Sequence, residues 1–354
     1  MTSRERMLAA FRGERTDSIP VSPHAWGLYK FQLAGVVHGF EDEKRLDGMS
    51  AAELASVDAL FYETFQPDML HLGEHAPPRG GNLDEEKELL REIRRTFSLS
   101  AIERFVDLHS PSAEQVRADG RYDHVRILSR ELGGSVFIAV NEGNPVCDVF
   151  DPHGILGFEE GLPALIESPQ AVAALLNGLY GRRLDAMRVL KESGADAYIG
   201  SESYCSADLI NPRVYRDVIF PAQRAFYSAV GQLGLVPITY FLGDIRPLVG
   251  DIGRLGVRGL MIEESKKGFT LDVAAVRSRL PAEIVLFGNL DSVHVLLPDA
   301  PAAVRAETAR QIRRARGKAF VMANGSPIAL NTPVENVGAM VDEARGTSGG
   351  AMRV

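Results

Sequence analysis

Cysteine is scarce in this chain: Cys147 and Cys205 are the only two in 354 residues. Two thiols exclude a disulfide framework and suit a reducing compartment. Tryptophan is scarcer, with Trp26 alone. No run of about 18 uncharged apolar residues occurs, so no membrane-spanning helix is expected. The opening MTSRERMLAAFRGE has charges in its middle and no apolar stretch. It does not read as a secretory signal, and a cytoplasmic protein is expected. A basic excess is also missing. The formal net charge of -8 repels phosphate backbones, so nucleic acid is not an expected partner. The densest basic cluster near mid-chain, Arg91, Arg94 and Arg95, reads as a solvated helix face. No internal repeat and no low-complexity linker is present.

What remains is ordinary globular material, with 45% hydrophobic and 24% charged residues. The first helix is expected over 3–13, where Met7, Leu8 and Phe11 sit at helical spacing. A short strand over 19–22 follows and ends near His24 and Trp26. A second strand is expected over 69–72, entered from a helix around 51–61. Residues 74–130 are less regular. HAPPRGGN is a loop by its Pro and Gly breakers, and the stretch after Arg94 suggests a small antiparallel excursion.

From residue 134 a rhythm sets in. Short β-branched runs at 135–140, 197–200, 236–240, 259–262, 284–287 and 319–322 alternate with helical stretches at 169–192, 212–233, 270–280, 301–316 and 333–345. Several of the helices open at or just after proline, which suits a first helical turn. Such alternation implies a parallel sheet. Two early strands and six later ones give eight, the number that closes a barrel. The rival open sheet lacks a G-x-G-x-x-G after its first strand. The fold expected is a (β/α)8 TIM barrel with an N-terminal helical extension and a small insertion after the second strand. It is read as one domain over 1–347, with 348–354 a flexible tail.

Four segments carry a resemblance. They are RERMLAAFRGERTDSIPV, ADLINPRVYRDVIFPAQRAFYSAVGQLG, FGNLDSVHVLL and NTPVENVGAMVDEAR. In that order and spacing the chain resembles the uroporphyrinogen decarboxylase superfamily, and the matches span nearly its whole length. The superfamily also holds corrinoid-linked methyltransferases, and this chain resembles those more than true uroporphyrinogen decarboxylases. The decarboxylases carry an arginine-rich segment after the first strand that binds substrate carboxylates. Here that region reads SPHAWGLYKFQLAG, which offers Lys30 and no arginine. An eight-carboxylate substrate needs several cations, because buried unpaired carboxylates are costly. The thiol-methylating relatives bind zinc through His-x-Cys and a later Cys. Those positions are Tyr240, Leu242 and Ser326 here, so a zinc–thiolate site is not expected.

Barrel catalysis draws on side chains at the carboxyl ends of strands. Reading those ends nominates four catalytic candidates, Glu202, Tyr240, Glu263 and Asp291, converging on one rim. Like charges in a partly dry cleft raise one another's pKa, which suits proton transfer. Substrate-binding candidates are His24, Trp26, Asn141, Glu142, Tyr204, Asp244, Asn289, Asn324 and Ser326. The strand ends also offer His71, Glu74, His75, Cys205 and Glu264. Bland roles stand beside these. Asp291 is the best helix cap among the acids. Tyr240 could be a core tyrosine with its hydroxyl satisfied, Cys205 an inert buried thiol, and Trp26 a plug for the mouth. The pair His71 and His75 has the wrong setting for a helical metal pair. A metal held by carboxylates with His24 or His71 is a cofactor candidate.

The first functional expectation is methyl transfer or O-demethylation of a small or aromatic substrate, with the resemblance implying a corrinoid on a separate protein. The second is a metal-free decarboxylase or carbon–carbon lyase using Tyr240 or Glu202 as the acid. The third is a ligand-binding barrel without catalysis. A homodimer is expected by base rate.

Overall fold

The computed structural model describes residues 1–73, 83–266, 268–298, 300–315 and 319–346. Seven parallel strands form one curled sheet in sequence order. They are β1 (Met69–Gly73), β2 (Phe137–Glu142), β3 (Ala197–Glu202), β4 (Val236–Phe241), β5 (Gly259–Ile262), β6 (Val285–Phe287) and β7 (Phe320–Val321). Helices connect successive strands, as parallel pairing requires. Sequential order with helical crossovers is consistent with a TIM-like barrel.

The eighth strand, expected over 19–22, is reduced to a single parallel bridge between Val21 and Met322. The sequence explains why. Pro20 has no N–H to give to a ladder. The Val21 N–H is taken by the buried Asp68 carboxylate at 2.8 Å instead of by a strand. The segment still joins the two sheet edges. On the β7 side, Ser22 N–H donates to Met322 O, and Met322 N–H donates to Pro20 O, both at 2.8 Å. On the β1 side, Asp68 N–H donates to Val21 O at 2.8 Å.

Two apolar layers follow from the strand pleat, whose side chains alternate between faces. The inner layer holds Met69, Phe137, Ala139, Ala197, Ile199, Ile238, Tyr240, Met261, Val285, Phe287, Val321 and Ala323. The helix Ser3–Phe11 joins it through Met7 and Phe11, with the Phe11 ring 5.5 Å from that of Phe137. That helix starts on a Thr2–Glu5 capping box. Its amphipathic plug lies at the amino-terminal end of the strands and leaves their carboxyl ends open for a site. The outer layer packs Leu70, Leu72, Ile138, Val140, Tyr198 and Phe241 against the helices.

The region after Arg94 differs from expectation. It is helical, with Leu99–His109, Ala113–Ala118 and Asp123–Leu132 following Leu83–Thr96. Ile102, Phe105 and Val106 form a buried stripe at three- and four-residue spacing, and the Ser98 and Ser112 side chains cap their helices. The short polar breaks at 97–98 and 110–112 are helix boundaries, not hairpin turns. The helix expected over 212–233 is interrupted by a π turn at Tyr215–Ile219, next to Pro221 and its missing N–H. The HAPPRGGN segment and the 348–354 tail lie outside the described residues.

Asp68 holds the 19–22 segment through the Val21 N–H and pairs with the Arg6 guanidinium, which also keeps Asp17. Removing Asp68 leaves the buried Val21 N–H without its acceptor, which costs about 1–3 kcal/mol. Asp68→Ala should therefore lower unfolding free energy by about that amount in urea titration. A loss under about 1 kcal/mol, the scale of an exposed pair, would contradict this role.

Candidate active site

The pleat decides which strand-end side chains face the barrel interior. On β3, Ala197 and Ile199 point inward and Tyr198 outward. Ser201 therefore points in and Glu202 out. Ser201 donates to the Asn141 side chain of β2 at 2.9 Å. Glu202 instead accepts from Tyr227 at 2.6 Å and Gln223 at 2.5 Å, both on the helix Phe220–Gln232. The same parity sends Glu142 outward, where Tyr122 donates to it and Arg183 lies at 3.6 Å. The shared rim of four groups expected from the sequence does not form: Glu202 sits between sheet and helices.

Asp291 is also elsewhere. Its carboxylate accepts the Val293 and His294 amides at 2.9 and 2.7 Å and caps the turn Ser292–Leu296. Burial opposes ionisation there, but those amides and the His294 ring hold the carboxyl below its usual range. Asp244 is ion-paired with Arg246 at 2.8 Å. Tyr204 donates to Asp151 at 3.1 Å, at the edge of an open groove of about 550 Å³ lined by Glu86, Arg94, His109 and Asp148. Asn289 donates to the carbonyls of Glu263 and Leu271 at 3.0 and 2.9 Å, bracing the chain after β5.

The mouth gathers His24, His71, Tyr240, Glu263, Asn324 and Ser326. The His24 ring stacks on His71 at 4.6 Å and meets the Tyr240 ring edge-on at 4.7 Å. The Trp26 indole N–H donates to His24 Nε2 at 2.8 Å, so that nitrogen is an acceptor. Nδ1 then carries the proton and donates to Gly325 O at 3.1 Å. His24 is a neutral, saturated imidazole, and burial pushes its pKa down to about 3. Its role is to hold Trp26 at the rim, where the indole is 38% exposed. Asn324 locks the arrangement. It accepts from His24 N–H at 2.8 Å and donates to Ser326 O at 2.7 Å. His71 is different: both ring nitrogens are buried with no hydrogen-bond partner among the described residues. Burial first, then His24 and Lys30, holds it well below the usual imidazole range.

Beside the rings lies a polar chain. Glu263 accepts from Gly243 N–H at 2.7 Å and pairs with Lys266 at 2.5 Å. Lys266 donates to Ser326 Oγ at 3.2 Å, and Ser326 donates to Glu264 at 2.8 Å. Burial first, then Glu263 and Glu264, keeps the Tyr240 phenol well above its usual pKa, with Ser326 beside it. The phenol therefore stays protonated. Two glycines make this packing feasible. Gly243 has φ +79°, and a Cβ there would lie 2.4 Å from Ser206 Oγ. A Cβ on Gly325 would lie 2.3 Å from Glu264 N.

Sequence reasoning missed Lys266 and Ser201. It named Glu264 only as a strand-end residue, and His71 only as a strand-end residue and a candidate metal ligand beside the carboxylates. Lys266 lies in the loop after β5, three residues past Glu263, and carried no signal in the sequence. Glu74 and His75 lie outside the described residues. Lys30, the cation of the SPHAWGLYKFQLAG segment, is 4% exposed, pairs with Asp58 and donates to His71 O at 2.7 Å. It is occupied within the fold. Cys205 is buried beside Glu202, with burial raising its thiol well above the usual range.

A zinc–thiolate centre does not fit these residues. Tyr240, Leu242 and Ser326 occupy its three positions and provide no thiolate or imidazole. Among the described residues, no group of three or more His, Cys, Asp or Glu side chains is placed to hold a metal ion. His24, one expected ligand, already uses both ring nitrogens.

Residues 90–347 match the Uroporphyrinogen decarboxylase (URO-D) family. Methylcobamide:CoM methyltransferase MtaA of Methanosarcina barkeri is 29% identical over 150 residues, 42% of this chain and 41% of that protein. A uroporphyrinogen decarboxylase of Pelobacter propionicus is 22% identical over 224 residues, 62% of this chain and 63% of that protein. The chain thus aligns with about two fifths of the length of the first relative. A solved methyltransferase from Methanosarcina mazei superposes with TM-score 0.71 at 19% identity, covering 97% of this chain and 98% of its own. That likeness is one of fold. No described helix is long and apolar enough to cross a membrane.

The position of Glu202 makes a prediction about stability. Burial raises its carboxyl to about 7 from an ordinary 4.5, against the pull of its Tyr227, Cys205 and Gln223 hydrogen bonds. The folded state then binds more protons than the unfolded state, so stability falls as pH rises from about 4.5 to about 7 and levels off above. The full effect is on the order of 3 kcal/mol. Glu202→Gln should flatten this slope in melting curves recorded from pH 4.5 to 8. An unchanged slope would mean that Glu202 is not the titrating group.

Proposed function

The chain belongs to the uroporphyrinogen decarboxylase (URO-D) family, and on that premise we propose that it transfers a methyl group from a small or aromatic methylated substrate to a corrinoid protein. The observation that carries this reading is the replacement of a thiolate set by oxygen and nitrogen donors. Tyr240 and Ser326 stand at two of the three zinc-ligand positions, linked to Glu264, Lys266 and Glu263. Such a mouth does not activate a thiol. It hydrogen-bonds to oxygen.

In this reading Tyr240 is the acid. Its protonated phenol donates to the substrate oxygen as the carbon–oxygen bond to the methyl group breaks. Glu263, fixed by the Gly243 amide and Lys266, orients the donors around that oxygen. Trp26 is the flat surface against which an aromatic ring stacks, held by His24. Asn141, aligned by Ser201, offers a further polar contact on the β2 side. The corrinoid would supply the cobalt that takes the methyl group, carried on its own protein. Trp26 and Lys266 are both partly exposed at the mouth, which suits a reactant presented from outside. A homodimer and a cytoplasmic location accompany this proposal.

Decarboxylation or another carbon–carbon cleavage is the second reading, favoured by the decarboxylase relatives. Tyr240 would then protonate the carbanion left by carbon dioxide. The engagement of Lys30 with Asp58 weighs against a polycarboxylate substrate. A barrel that binds ligand without turnover is the third reading.

The test uses cob(I)alamin with an aryl methyl ether and follows the visible spectrum of the cobalamin. Methylation should proceed with wild-type protein, and Tyr240→Phe should slow it by about 10²-fold or more. Carbon dioxide release from a carboxylated analogue, with no methylation, would favour the second reading. Methylation by Tyr240→Phe within about twofold of wild type would remove the phenol from the chemistry.

A further inference from the structure

The mouth contains a cation, Lys266, that has no substrate contact in the chemistry described above. Lys266 Nζ lies 2.5 Å from Glu263 Oε1, 3.6 Å from Glu264 Oε1 and 3.2 Å from Ser326 Oγ. A buried ion-pair network usually seals its cation inside. Here the exposure is graded the other way. The Glu263 and Glu264 side chains are 4% and 7% exposed, whereas that of Lys266 is 33% exposed. Of the three charged side chains, the lysine is the one that solvent reaches.

The partners of the ammonium fit this placement. Ser326 Oγ accepts one of its N–H bonds, and both glutamates neutralise its charge, at 2.5 and 3.6 Å. The two carboxylates do not depend on Lys266 alone. Glu263 also holds the Gly243 amide, and Glu264 holds the Ser326 hydroxyl. Each counter-ion is thus partly neutralised by a second donor, while the ammonium stays charged. Its pKa is raised above the usual lysine value because the bond to Glu263 and the charges of both glutamates outweigh burial, the largest single effect. This excludes the uncharged amine that a nucleophilic lysine would require. The protonated Tyr240 lies on the other side of Ser326, so two donors flank one hydroxyl.

We infer that Lys266 is a substrate-contacting residue that holds an anionic oxygen, a carboxylate or phenolate, at the barrel mouth, with its charge maintained by Glu263 and Glu264. This deepens the reading of the same mouth given above and rests on it for the site's location. The contact is an N–H donor on an oxygen anion, so no bond is made or broken and no co-reactant is needed. Ser326 positions the ammonium by accepting one N–H and relaying to Glu264.

Trp26 makes the inference testable without knowing the substrate. It is the only tryptophan in the chain. It is half-exposed at the rim and bonded to His24, whose ring touches that of Tyr240. Its fluorescence reports what enters. The probes are benzoate and its neutral counterpart benzamide, titrated at fixed ionic strength. Wild-type protein should show a saturable change with benzoate and a weaker response to benzamide. Lys266→Met should raise the benzoate Kd by about tenfold to a hundredfold, the worth of a charged hydrogen bond. Lys266→Arg should recover part of the affinity. Circular dichroism melts on each variant identify a protein that has not folded. Ser326→Ala then serves as a milder variant, with a smaller loss expected. Equal binding of benzoate and benzamide, or undiminished benzoate affinity in folded Lys266→Met, would overturn the inference. The absence of any saturable change in wild type would overturn it as well. Anion binding without methyl transfer to cobalamin would leave Lys266 in its role and sink the methyl-transfer reading instead.

Discussion

Everything in this site depends on the two-residue repeat of the parallel strand. Neighbouring side chains on a strand face opposite sides of the sheet, so a shift of one residue exchanges barrel interior for helix layer. Ser201 and Glu202 show the consequence. Ser201 reaches across the interior to Asn141, while Glu202 is bonded to Gln223 and Tyr227 outside. Asn141 and Glu142 divide in the same way. The phase is shared along each strand with bulky interior residues such as Phe137, Ile199 and Met261. The face that packs the barrel interior is thus the face that supplies the chemistry at its mouth.

The interior phase gathers a mouth in which neutral rings and charged groups have separate tasks. His24 is saturated and neutral, and it carries Trp26. His71 is buried with both nitrogens unpartnered among the described residues, which is costly in a finished core. The charged part is the chain from Glu263 through Lys266 and Ser326 to Glu264. It sits where relatives that methylate thiols would place soft metal ligands. In the proposed function, hydroxyl and ammonium donors in that place would take an oxygen partner in place of sulfur.

Much of the architecture was legible in the sequence. Six of the later β-branched runs became β2 to β7, because short apolar runs between long amphipathic stretches have one parallel solution. The first strand was misjudged in extent, since Pro20 and the Asp68 side chain withdraw the ladder bonds of 19–22. The helices after Arg94 were missed because their buried stripe is short and broken by Ser98 and Ser112, which are caps and not turns. At the site, strand-end position nominated Tyr240, Glu263, Glu202 and Glu142 alike but could not orient Glu202 or Glu142. A residue's position at a strand end says nothing about its face until the register is known. Asp291 was legible as a cap from its Asp-Ser-Val context, and the structure places it in that role. Lys266 escaped because it lies in the loop after β5, where only three-dimensional proximity to Ser326, 60 positions later, reveals it.

The central claim is that the inward-facing residues, and not the buried acids behind the sheet, form the binding site. A crystal structure of the protein soaked with benzoate tests it most directly. The account predicts density for the ring against Trp26, with carboxylate oxygens within hydrogen-bond distance of Lys266 Nζ and the Tyr240 hydroxyl. Density in the groove beside Glu86 and His109, or contact with Glu202 behind β3, with an empty mouth, would contradict it.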